Sequence, residues 1–206
     1  MNRFQKIHKS HQKIFLHSSK TNYYIKNKVR DEFKKLERSK KIIFNKIDLN
    51  KKKILDVGCA TGDMYLALKK RYNINYTGID IDQRCIEIAN IKLSDKAKFL
   101  KYDIFNKNLK KNSFDVVMIW NLFHIIPNWK EVLIRACELS KKYVLFDNRI
   151  RYYGTTIIDK DISYQYYHKS GVRNYYVIHN IYELLSFLQI HELNLENVDV
   201  YGYKMI

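Results

Sequence analysis

The segment Lys53-Ile54-Leu55-Asp56-Val57-Gly58-Cys59-Ala60-Thr61-Gly62-Asp63 joins an apolar run to a turn that holds Gly58 and Gly62 and is flanked by Asp56 and Asp63. Met64, Ala67 and Leu68 continue it with helical spacing. A strand, a tight loop and a helix N-terminus in that order are how a parallel α/β sheet builds a nucleotide pocket. Glycine lets the backbone approach the ligand where a Cβ would collide with it. The spacing is G-x-x-x-G, unlike the G-x-G-x-x-G of dinucleotide folds, and Asp56 stands two residues before Gly58. Asp56 and Asp63 would repel a pyrophosphate but not a cation. The residues therefore suggest a nucleoside that carries positive charge.

More polar groups fall at the ends of apolar runs. Residues 75–80 (Asn-Tyr-Thr-Gly-Ile-Asp) read as a second strand ending in Asp80. Asp80 lies about twenty residues past the loop, where a carboxylate accepts from ribose hydroxyls. Ile81 follows it as an apolar residue. Phe99 to Tyr102 reads as a third strand, leading into Asp103 and Ile104. Phe114 to Ile119 is nearly all apolar, as expected of a central strand buried on both faces. It feeds Trp120-Asn121-Leu122-Phe123-His124, and an imidazole there titrates near neutrality and could serve as a base.

In these motifs the chain resembles the class I S-adenosylmethionine-dependent methyltransferases. Residues 56–62 match the family's acidic-apolar-Gly-x-Gly-x-Gly motif, with Ala60 at the middle glycine, and the likeness runs over roughly residues 50–150. The resemblance implies S-adenosylmethionine as cofactor, held by Asp56, Gly58, Cys59, Ala60, Gly62 and Asp63, with Asp80 and Ile81 on the nucleoside. It implies that Asp103 accepts from the adenine amino group and that the backbone of Ile104 reads the ring, with Trp120 and Asn121 closing the pocket. The Trp120–His124 loop is similar to the family's post-strand loop ending in histidine. A methyl on a sulfonium is already electrophilic, so the protein mainly aligns the acceptor and excludes water. A hydroxyl acceptor also needs its proton removed, for which His124 is the candidate base, although this position is structural in many family members.

The acceptor side is expected after the fifth strand. Asp147 and Arg149 fall there, facing the substrate or stabilising the loop. Tyr152, Tyr153, Tyr164, Tyr166, Tyr167, Tyr175, Tyr176 and Tyr182 place eight of the 17 tyrosines in one segment. Their flat rings and hydroxyls suit sugars, bases or aromatic acceptors, and ordinary core packing is the alternative. Asp147-Asn148 is similar to the Asp-Asn pair that holds magnesium in catechol-type O-methyltransferases, but Trp120 and Asn121 stand where those enzymes add a third oxygen ligand. No metal is expected there, nor at the pair His8 and His11.

The elements that position these groups alternate along the chain. Strands are expected near 53–57, 75–80, 98–102, 114–119 and 143–147, and helices near 63–72, 83–93 and 129–140, the last opened by a capping box of Asn128 and Glu131. A helix over 181–190 follows, opened by Asn180 and Glu183, and then a strand over 193–203 as an antiparallel edge. This is an α/β, Rossmann-like doubly wound fold with a mainly parallel sheet of the seven-stranded type and an antiparallel C-terminal edge. Ile25, Val29, Phe33, Leu36, Ile43 and Ile47 predict an amphipathic helix capped by Asn22. The chain divides into a basic helical N-terminal cap, residues 1–50, and a cofactor-binding domain, residues 51–206, with a substrate-side insertion near 148–180.

Of the 206 residues, 46% are hydrophobic, enough for a substantial core, and no apolar run is long enough to span a bilayer. The cysteines Cys59, Cys85 and Cys137 are scattered and odd in number, which suggests a reduced, cytoplasmic protein. The formal net charge of +17 is uneven: residues 1–53 carry 17 Lys/Arg against 4 acidic groups, whereas residues 142–206 carry 7 of each. Abundant Lys, Asn, Ile and Tyr fit AT-rich codons, so this excess reads either as a solvated face or as a docking face for an anion. The first functional expectation is methyl transfer to a small, anionic acceptor, on an oxygen of a sugar, nucleotide-sugar or phosphorylated surface-polysaccharide precursor. The alternative is a nucleic-acid (RNA) methyltransferase or binding module that uses the basic segment. Against it, the loop after the fourth strand lacks the Asn-Pro-Pro-aromatic motif of base amino methylation.

Overall fold

The computed structural model describes residues 33–93, 97–167, 171–190, 193 and 195–201. Its centre is a sheet of β1 (Lys53–Val57), β2 (Asn75–Asp80), β3 (Lys98–Lys101), β4 (Phe114–Ile119) and β5 (Ser140–Phe146), in the order β3-β2-β1-β4-β5. Every pairing is parallel, with Asp56 beside Gly78 and Met118, and Val57 beside Ile79 and Ile119. The order reverses between β1 and β4. In such sheets the crevice beyond the carboxyl ends of the strands at that point takes the ligand.

Period-two alternation sends the central strands into two cores. Ile54, Val116 and Met118 pack with Phe44 of α1 (Arg38–Lys46), Tyr65 and Leu68 of α2 (Asp63–Leu68), and Ile86 and Ala89 of α3 (Gln83–Leu93). Leu55, Val57, Val117 and Ile119 pack with Trp129, Val132 and Leu133 of α4 (Trp129–Leu139), and Leu184 and Phe187 of α5 (Ile181–Ile190). Helices cover both faces, as a doubly wound sheet requires.

The substrate-side insertion has its own ladders. β6 (Ile150–Arg151) pairs in parallel with β9 (His179–Asn180), while β7 (Tyr164–Tyr167) and β8 (Val172–Tyr175) form an antiparallel hairpin. Asn180 caps α5 as expected: its Oδ1 accepts from the backbone N–H of Tyr182 at 2.8 Å and of Glu183 at 3.1 Å.

Four local expectations fail. Asn128 precedes α4 but makes no side-chain cap bond, so its capping box with Glu131 is not formed. Residues 33–47 are not one helix: a 3-10 turn over Phe33–Lys35 stops, and α1 restarts at Arg38 after Glu37, whose ψ of 149° is extended. Ile47 is extended too, and the Asn22 cap lies outside the described residues. The strand expected over 193–203 is absent among the described residues there, and antiparallel pairing comes from β7 and β8 instead. Leu193 and Leu195 fall on odd positions and Val198 and Val200 on even ones, so no single register would bury all four. Finally, α2 ends at Leu68, four residues before its expected end at Tyr72.

Candidate cofactor and acceptor site

The loop between β1 and α2 turns three times through left-handed backbone, at Gly58 (φ 76°), Ala60 (φ 47°) and Gly62 (φ 83°). Ala60 alone carries a Cβ there, at a cost of about 1–2 kcal/mol relative to ordinary backbone. The loop turns its amides inward. Gly58 and Cys59 donate to Ile79 O at 2.8 and 3.1 Å, Ala60 donates to Asp80 Oδ2 at 2.9 Å, and Gly62 donates to Cys59 O at 3.0 Å. An anion-binding loop keeps such N–H groups for its ligand. This loop has spent three of them on β2 and one on itself, which argues against a pyrophosphate and fits the carboxylate-rich reading.

Asp80 ends β2 with both oxygens engaged, Oδ2 by Ala60 N and Oδ1 by Asp82 N at 2.8 Å. Burial raises its pKa, and the backbone donors act in the opposite direction. Asp63 lies in the first turn of α2, where its Oδ1 accepts from Thr61 Oγ1 at 3.2 Å. Asp103 Oδ1 accepts from Phe105 N at 2.9 Å beyond β3. Carboxylates thus gather where β1, β2 and β3 end, a donor set that fits a cationic nucleoside. Ile81 is half-buried beside them.

The other expected cofactor residues also have partners within the protein. Asp56 is buried beneath the loop and accepts the Tyr76 hydroxyl, and burial pushes its carboxyl up to about 7. Cys59 is buried against Gly78, where an added Cβ would lie 2.7 Å from the Cys59 Sγ, and burial holds its thiol well above the ordinary range. The side chain of Ile104 packs into the second core, and its carbonyl accepts from Arg135 Nε at 3.4 Å. After β4, Asn121 adopts φ 55° and donates its N–H to Asp147 Oδ1 at 2.6 Å. Leu122 then lies where a Cβ on Gly58 would meet it at 3.8 Å.

The acceptor side is centred on Tyr176. Its ring meets His124 edge-on at a centroid distance of 5.6 Å, and its hydroxyl accepts from Arg149 Nε at 3.3 Å. His124 is buried, and Val177 N donates to its carbonyl at 2.7 Å, which ties the insertion to the post-β4 loop. Tyr152 and Tyr153 are 65% and 85% exposed and make no part of this cluster. Tyr164 stands across the hairpin from Tyr175, with the Arg173 guanidinium over its ring at 4.4 Å. Among the described residues no three His, Cys, Asp or Glu side chains converge as a metal site.

Asp147 faces a partner that sequence reasoning missed. Lys40 Nζ donates to Asp147 Oδ2 at 2.9 Å and to Glu37 Oε2 at 3.0 Å, and it stands 5.0 Å from the centroid of the Trp120 ring. The side chain of Lys40 is only 2% exposed. The available signal was a lysine one helical turn before Phe44, on the face that α1 buries.

Comparison with known proteins agrees with this architecture. A methyltransferase-domain family profile matches residues 54–142. The phosphoethanolamine N-methyltransferase of Plasmodium falciparum is 31% identical over 106 residues, 50% of this chain and 40% of that protein. The demethylmenaquinone methyltransferase of Thermotoga maritima is 29% identical over 100 residues, 48% of this chain and 43% of that protein. The match thus spans less than half the length of either relative. A SAM-dependent methyltransferase structure from Methanosarcina mazei shares the fold at a TM-score of 0.56 and 18% identity, over 75% of this chain and 83% of that one. Residues 54–142 thus match a methyltransferase domain, on a fold shared with S-adenosylmethionine-dependent methyltransferase structures.

Proposed function

We propose that the protein transfers the methyl group of S-adenosylmethionine to a small acceptor that carries an anionic group, on a hydroxyl of a sugar, nucleotide-sugar or phosphorylated surface-polysaccharide precursor. The observation that carries this reading is the alignment of Arg149, Tyr176 and His124 beside the ends of β4 and β5. Arg149 is half-buried and has no carboxylate within ion-pair distance among the described residues. A guanidinium so placed matches a phosphate or carboxylate in two-point geometry.

When bound, S-adenosylmethionine supplies an electrophilic methyl carbon. Asp80 would hold the ribose, and the Gly58–Gly62 loop would hold the methionine portion. Arg149 anchors the anionic end of the acceptor, and the Tyr176 ring shields its other side from water. His124 takes the hydroxyl proton as the new bond forms. Residues 51–206 act as the catalytic domain and residues 1–50 as a separate N-terminal segment, whose described part packs on it through Leu36, Phe44 and Leu49.

Labelled cofactor, incubated with sugar phosphates and nucleotide-sugars, is expected to give a labelled small product, and Arg149→Ala is expected to raise the acceptor KM roughly a hundredfold. No labelled product from any phosphate-bearing or carboxylate-bearing acceptor would refute the reading. A second reading, methylation of an amine on a phosphorylated acceptor, is supported by the name of the Plasmodium relative. It uses the same anion anchor, and product analysis for an N-methyl group separates the two.

A further inference from the structure

We infer that α1 is a latch on the cofactor pocket, and that Lys40 and Asp147 are positioning residues that join its docking to the geometry of the post-β4 loop. The inference rests on the reading of that crevice as the S-adenosylmethionine site. It begins from one carboxylate with two obligations. Asp147 Oδ1 holds the N–H of Asn121 at 2.6 Å, and Asp147 Oδ2 holds the ammonium of Lys40 at 2.9 Å. The first bond fixes a left-handed residue in the loop that brings Leu122 over Gly58. The second reaches across 107 positions of sequence to a helix outside the strand–helix alternation.

Lys40 is surrounded on every side by groups that need it. Glu37 takes a second N–H, and the ring of Trp120, the first residue after β4, lies beneath the cation. Burial raises the Asp56 carboxyl in β1 under the glycine loop, and the Lys40 charge acts weakly in the opposite direction. Phe44, one turn further along α1, meets the Trp120 ring edge-on at 5.7 Å. One helix thus bears on the ends of β1, β4 and β5 at the point where strand order reverses. An ammonium this deep is stable only while its partners are in place. Undocking α1 would take the Lys40 bond from Asp147 Oδ2 and loosen the carboxylate that holds Asn121. Binding at the pocket and docking of α1 must then favour one another, because coupling between two sites is reciprocal.

Hydrogen exchange and calorimetry on the full chain test this. In the cofactor-free protein, Lys40→Met is expected to speed exchange of the Asn121 amide together with those of α1, while amides of α4 stay unchanged. In calorimetry it is expected to weaken S-adenosylmethionine binding roughly tenfold. Lys40→Arg should recover most of that loss. The double variant Lys40→Met/Asp147→Asn should fall short of the wild type by less than Lys40→Met alone, because a neutral side chain no longer needs the lost cation. Cofactor should slow α1 exchange in the wild type and not in Lys40→Met. A folded Lys40→Met protein with wild-type Asn121 exchange and cofactor affinity within twofold would overturn the latch. Failure of the wild type to bind S-adenosylmethionine would sink the cofactor reading instead, and the cofactor-free exchange result would still decide whether α1 and the loop are coupled.

Discussion

Replacing Asp80 by asparagine keeps its shape and removes a function that can be counted. Each carboxylate oxygen accepts a different backbone N–H, Oδ2 from Ala60 and Oδ1 from Asp82. Asparagine has one carbonyl oxygen, so its amino group must face one of those donors. A stranded amide costs about 1–3 kcal/mol. About 1 kcal/mol corresponds to a fall of roughly 2–4 °C in melting temperature for a domain of this size. Binding suffers separately, since a hydroxyl bonded to a charged acceptor contributes about 1.5–3 kcal/mol. Asparagine should therefore weaken S-adenosylmethionine roughly tenfold. Alanine, which strands both amides and offers the ribose nothing, should weaken it more than a hundredfold. Calorimetry with parallel thermal melts reads both effects. An Asp80→Asn protein with unchanged melting temperature and affinity within twofold would refute both the loop geometry and the ribose assignment.

Three further outcomes follow from the same geometry. Gly78→Ala would put a Cβ 2.7 Å from Cys59 Sγ and 2.9 Å from Phe99, so differential calorimetry should show a loss of about 1–3 kcal/mol, and full stability would contradict the packing. The Asp56 carboxyl stands at about 7 in the fold against 3.8 when unperturbed, so the folded state holds its proton more tightly and this stabilisation fades as pH rises from about 4 to about 7. Asp56→Asn should flatten denaturant stability across that window, and an unchanged slope would show that the group does not titrate there. His124→Gln is expected to lower kcat by 10²–10⁴ with cofactor affinity intact, and an unaltered kcat would leave His124 with a packing role.

The central sheet was legible because each strand carries its own signal. Apolar runs at 53–57, 75–80 and 114–119 match β1, β2 and β4, and Asp80 and Asp103 fall at or just past strand ends as their spacing implied. What escaped depends on contacts between distant residues. Lys40 looked like one more lysine in a basic segment, and only the fold brings it to Asp147. Tyr176 could not be singled out among eight tyrosines by composition, since its place beside His124 depends on Val177 joining the post-β4 loop. The motif gave no sign that Asp56 accepts from Tyr76 or that Cys59 packs on Gly78, since both contacts come from the neighbouring strand β2. Asn128 had the right neighbour for a capping box, but its φ of −90° and ψ of 36° are accompanied by no side-chain cap bond.

A loop with its amides turned inward and carboxylates at the neighbouring strand ends should select a cationic nucleoside over anionic ones. Parallel titration of the purified chain with S-adenosylmethionine, NAD and ATP measures that preference. Saturable heat with S-adenosylmethionine alone is the predicted result. Firm binding of NAD or ATP, with none of the sulfonium compound, would contradict it.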